Sequence, residues 1–72
     1  MIARLLGRRI AELRKVKGLS QEDLAAKAKY STEFISLVER GRNAPSVAGL
    51  TRIAKALNVE IKDLFDFRRG AK

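Results

Sequence analysis

The sequence contains no cysteine and no histidine. The first absence excludes disulfides and thiolate metal sites. The second removes the commonest metal ligand and the commonest general base. Aromatic residues make up only 6% of the chain, and the single proline is Pro45. No apolar run approaches the ~18 residues that would mark a membrane span. Met1-Ile2-Ala3-Arg4 opens the chain without the long apolar segment of a signal peptide. The expectation is a cytoplasmic protein that does not engage a membrane. Repeats and low-complexity tracts are absent as well. A chain of 72 residues makes one domain near the lower limit for folding without staples. Stability must come from apolar packing, which a 46% hydrophobic content can support, helped by a partner subunit.

Charge is what the chain has in excess. Sixteen Lys and Arg stand against eight Asp and Glu, a net charge of +8. Such a surface attracts polyanions. The distribution is uneven: residues 1–17 carry six basic and one acidic side chain, whereas residues 19–41 carry three basic and four acidic. Non-specific attraction would therefore come from the first helix, Arg42, the fourth helix and the tail.

The rest of the pattern is helical punctuation. Ile2, Leu5, Leu6, Ile10, Leu13 and Val16 recur at helical spacing, and Gly18 follows as a stop. Ser20 can cap a second, short helix, with Asp23 as the reciprocal acid and Leu19 and Leu24 at staple positions. Ser31 can cap a third, with Tyr30 and Ile35 at staple spacing, Ile35 and Val38 facing inward and Gly41 ending it. Ser46 caps a fourth, with Val47, Leu50, Ile53, Ala54 and Leu57 as its core residues and Asn58 as its left-handed stop. Ile61, Leu64 and Phe65 suit a short fifth helix, and residues 68–72 form a basic tail. The expected fold is all-α, a compact five-helix domain over residues 1–67. Two short helices, separately capped and closely joined, are the layout of a helix-turn-helix over about residues 20–41.

The run Leu19-Ser20-Gln21-Glu22-Asp23-Leu24-Ala25, then Ile35-Ser36, Glu39-Arg40-Gly41 and Pro45-Ser46, resembles the lambda-repressor-like (Cro/C1, XRE) helix-turn-helix family. The likeness extends from Gly7 to Phe65 and includes Ile53-Ala54-Lys55-Ala56-Leu57. It implies a DNA-binding transcription regulator and assigns roles. Gln21 and Ser31 would contact phosphate at helix N-termini, and Arg42 and Asn43 from the loop after the third helix. Thr32, Glu33, Ser36 and Leu37 would read base edges, with Glu33 accepting from a cytosine amino group and Thr32 or Leu37 touching a thymine methyl. Arg14 and Glu39 would form a partly buried ion pair, and Ala25 would let the crossing helices approach. Three residues depart from the pattern. Lys29 stands where the turn often has glycine, Phe34 replaces a frequent tyrosine, and Gly49 lies inside the fourth helix at a cost of roughly 1 kcal/mol relative to alanine. Arg8 and Arg9 are phosphate contacts or simple solvated helix residues.

Ile61, Leu64, Phe65 and Phe67 give the C-terminal segment more apolar surface than so small a core needs, which points to a homodimer interface and a palindromic operator. The partners implied are double-stranded DNA and a second copy. Small members of the family include restriction–modification controllers, phage repressors and antitoxins, and the size here suits the controller type. The alternative is an interaction module, such as an antitoxin or co-regulator, whose main partner is another protein. Stacking aromatics of an RNA binder are nearly missing. No nucleophile–base pair, phosphate-binding glycine loop or metal cluster is visible, so neither enzymatic activity nor a cofactor or metal is expected.

Overall fold

A computed structural model describes residues 2–68. Most of the basic tail expected at 68–72 lies outside the described residues. The helices are α1 (Ile2–Val16), α2 (Gln21–Ala28), α3 (Thr32–Glu39), α4 (Val47–Leu57) and α5 (Ile61–Leu64), with no strand among the described residues. None of these helices is long and apolar enough to cross a membrane.

Each of the three middle helices starts on a serine. The Ser20, Ser31 and Ser46 hydroxyls accept from the N–H groups of Asp23, Phe34 and Gly49 at 2.9, 3.0 and 3.0 Å. At α2 the box is closed, because the Ser20 N–H donates to the Asp23 carboxylate at 3.0 Å. Each such cap stabilises its helix by about 1 kcal/mol. The helix ends are equally regular. Gly18, Lys29, Gly41 and Asn58 all take left-handed backbone conformations, with φ of 73°, 61°, 75° and 59°. The next N–H then reaches back to a carbonyl of the last turn: Leu19 to Arg14, Tyr30 to Ala25, Arg42 to Leu37 and Val59 to Ala54. Lys29 thus manages the α2–α3 turn by adopting the left-handed conformation that glycine would take at lower cost.

The core is assembled from Leu6, Ile10, Leu13, Leu24, Ala25, Ala28, Ile35, Val38, Ile53, Ala54, Leu57 and Leu64. Four residues expected inside are not there. Ile2, Leu5 and Val16 are 57, 37 and 78% exposed: Ile2 and Val16 are the end residues of α1, and beside Leu5 it is Leu6 that takes the inward position. Val47 opens α4 and is also 78% exposed. Gly7 sets the α1–α3 distance: a Cβ there would collide with the Val38 carbonyl and lie 2.9 Å from that of Glu39. Backbone meets backbone at that crossing, which no larger residue permits.

Candidate nucleic-acid interface

α3 has two different faces. Ile35 and Val38 are sealed in the core, whereas Thr32 and Glu33 are exposed and Ser36 and Leu37 half-exposed on the opposite side. Those four form one stripe because positions i, i+1, i+4 and i+5 share a helix face. Their orientation is fixed from the C-terminal end of α3. Glu39 accepts from Arg14 twice, Nε to Oε2 at 2.6 Å and Nη2 to Oε1 at 3.1 Å. Arg14 also donates from Nη1 to the Leu19 carbonyl at 2.8 Å. Both side chains are largely buried, at 11 and 7% exposure, so the expected ion pair is a lock between α1 and α3 rather than a solvated contact.

Gln21 joins that lock, its Nε2 donating to Glu39 Oε1 at 2.9 Å. One amide N–H is thereby committed and the other is left to solvent. Ser31 is exposed, and its oxygen is used in capping α3. Arg42 and Asn43 are exposed in the loop that follows Gly41. The backbone of Arg4 abuts Gly41, where a Cβ would stand 2.9 Å from the Arg4 Cα. This places the exposed Arg4 of α1 beside the Arg42 loop, which sequence reasoning did not foresee.

Two other arginines turn inward. Arg9, one of the pair left open between phosphate contact and solvated residue, donates from Nε to the Asp63 carbonyl at 2.9 Å and pairs with Glu12 at 3.0 Å. It ties α1 to the end of α5. Arg52 donates from Nε to the Ala28 carbonyl at 2.9 Å and lies 4.6 Å from the centre of the Tyr30 ring. Tyr30 stacks on Phe34 with centroids 4.5 Å apart. Tyr30 packs against the core cluster that contains its expected staple partner Ile35, and its ring also meets Phe34. The Tyr30 hydroxyl occupies the space a Gly49 side chain would need, which accounts for a glycine inside α4. That glycine, noted in the sequence only as a departure, is the local trace of these contacts.

Two carboxyls are held below the ordinary value of 3.8. The Ser20 backbone N–H and then its hydroxyl lower Asp23. Arg68, chiefly through its side chain, lowers Asp66 to about 2. Beyond α5, Phe65 and Phe67 meet edge-on at 6.0 Å. Ile61 and Phe65 are 39 and 40% exposed and Phe67 is half-buried, but Leu64 is wholly buried. Leu64 therefore belongs to the core and not to the surface at which it was expected, since a helix of four residues has only one inward position and Leu64 fills it.

A family model described as "HTH_3: Helix-turn-helix" matches residues 10–64, which contain α2, α3, the Arg14–Glu39 lock and α4. The chain belongs to this family. It is a helix-turn-helix protein of the Cro/C1 (XRE) type, a family of DNA-binding transcriptional regulators and not of enzymes. Its relatives include an uncharacterized HTH-type transcriptional regulator, y4dJ, of Sinorhizobium fredii, 41% identical over 85% of this chain and 79% of that protein. The control protein C.BamHI of Bacillus amyloliquefaciens is 39% identical over 88% of this chain and 79% of its own. Among solved structures, the restriction-modification controller protein C.AhdI of Aeromonas hydrophila superposes with a TM-score of 0.85 at 38% identity, covering 88% of this chain and 96% of that one. The five-helix, lambda-repressor-like architecture is thus that of a known controller.

Proposed function

We propose that this helix-turn-helix regulator binds a palindromic double-stranded operator as a homodimer, with α3 in the major groove. The observation that carries the reading is the two-faced α3: an inner face seated in the core and an outer stripe in which Thr32 and Glu33 are exposed and Ser36 and Leu37 half-exposed. Glu33 accepts from a cytosine amino group, while Thr32 and Leu37 contact thymine methyls and Ser36 either base. Phosphates are held by the free amide N–H of Gln21, the Ser31 hydroxyl proton, Arg42 and Asn43, with Arg4 adding a charge beside that loop. Ile61, Phe65 and Phe67 supply the two-fold contact, which sets the two α3 helices roughly 34 Å apart. Likeness to C.BamHI and C.AhdI favours a controller-type role, in which protein concentration and operator arrangement govern the response.

The test is selection of bound fragments from random double-stranded DNA, with sedimentation analysis of the free protein. A palindrome should emerge. Glu33→Ala should relax it at one position per half-site, at a cost of about 1–3 kcal/mol, and Gln21→Ala should weaken all sites alike. Binding that is sequence-blind and lost in modest salt would reduce the reading to charge alone. The exposed Ile61 and Phe65 support a second reading. A protein that stays monomeric at high concentration would assign that patch to a different protein partner.

A further inference from the structure

One side chain of α4 touches both sides of the helix-turn-helix turn. Arg52 holds the last carbonyl of α2 through its Nε, at Ala28, and covers the ring of Tyr30 from the other side. Tyr30 passes the contact on by stacking on Phe34, at the third position of α3 and next to Glu33. Gly49, one turn before Arg52 on the same helix, leaves the gap into which the Tyr30 hydroxyl fits. Between the two held ends lies Lys29, in a conformation that lysine does not favour. The left-handed Lys29 is thus flanked on both sides by groups that Arg52 holds from outside the turn.

We propose that Arg52 and Tyr30 are positioning residues for base readout. They hold the N-terminal turn of α3 at the angle that brings Thr32 and Glu33 to the base edges, without themselves touching DNA. The geometry supports a positioning role in two ways. Tyr30, Phe34 and Arg52 are all half-buried, and the guanidinium is turned onto the Ala28 carbonyl and the Tyr30 ring. The inference rests on α3 being the reading helix. It is separable from that reading because it concerns residues outside the reading stripe.

The experiment compares wild type, Arg52→Gln and Tyr30→Leu for binding to the selected operator, to operators changed at the Glu33-dependent base pair, and to random DNA, at several salt concentrations. Thermal unfolding is followed in parallel, and Ile53→Val serves as a control that weakens α4 packing away from the stack. Both stack variants should lose discrimination at the Glu33-dependent pair by about tenfold, comparable to one good base contact. They should keep the wild-type salt slope, and Ile53→Val should keep its discrimination. Uniform weakening of all DNAs by Arg52→Gln, with the slope reduced by about one, would make Arg52 a phosphate ligand and overturn the proposal. Equal loss of discrimination in Ile53→Val would overturn it too, by tracing the effect to stability. Wild-type protein that shows no preference would instead remove α3 as the reading helix, and the inference with it.

Discussion

The α2–α3 and α4–α5 turns share one backbone design and serve different ends. In each, a left-handed residue closes the first helix, at Lys29 and Asn58 with φ and ψ of 61° and 45° against 59° and 44°. One residue follows, Tyr30 or Val59, whose N–H reaches back to a small buried alanine, Ala25 or Ala54. A capping position comes next, and then a new helix. The surroundings of the two turns differ. After the first turn, α3 runs for eight residues, is locked at its far end by Arg14 and Glu39, and turns Thr32, Glu33, Ser36 and Leu37 outward. After the second, α5 runs for four, buries Leu64 and exposes Ile61 and Phe65. Equal turn geometry thus leads to unequal helices, and what sets α3 apart is its length, its fixed far end and its exposed outer face.

If the lock is what distinguishes the two units, breaking it should have the largest effect. Arg14→Met leaves Glu39 buried without its cation and should cost about 3 kcal/mol in urea or thermal unfolding. A loss below about 1 kcal/mol would mean that Gln21 and solvent already satisfy Glu39. The turns themselves offer a sharper pairing. Lys29→Gly should stabilise the protein by about 0.5–1 kcal/mol, because it removes the left-handed strain of a long side chain. Asn58→Gly should change stability by less than about 0.5 kcal/mol, since asparagine already tolerates that conformation. Equal responses at the two positions would show the turns to be equivalent in strain as well as in shape.

The smallest effect separates the start of the first unit from the end of the second by pH. Asp23 and Asp66 both have folded-state acidity stronger than their ordinary value of 3.8, so each contributes stability that is present above that value. As pH falls, the Asp66 contribution fades between 3.8 and about 2, and that of Asp23 below 3.8. Asp23→Asn should flatten part of the acid limb of the stability curve without altering its neutral plateau much, because both groups are at the surface. An unchanged acid limb would show that the cap carboxylate contributes no more than the amide.

The helix boundaries were legible because each is written locally. A serine before each of α2, α3 and α4, and the left-handed stops Gly18, Gly41 and Asn58, lie within a few residues of the geometry they create. Hydrophobic spacing was less reliable. It put Ile2, Leu5 and Val16 in the apolar stripe of α1 and Val47 in the core of α4, although period says which face a residue takes and not how well that face is covered. It also set Leu64 beside Ile61 and Phe65, where burial separates them. The Arg14–Glu39 pair was readable only through family resemblance. The inward turns of Arg9 and Arg52 had no local signature, since their partners lie 54 and 24 residues away.

The Arg14–Glu39 bond has a topological consequence as well. It joins positions 25 residues apart, and the whole helix-turn-helix lies inside the loop it closes. In a chain with no cysteine, this pair occupies the place a covalent cross-link would take around the two helices. Unlike a disulfide, it leaves the unfolded chain unconstrained and exerts its hold only once the helices have docked. It is also indifferent to thiol reductants, so this helix-turn-helix is girdled by a link that no change of redox potential can open.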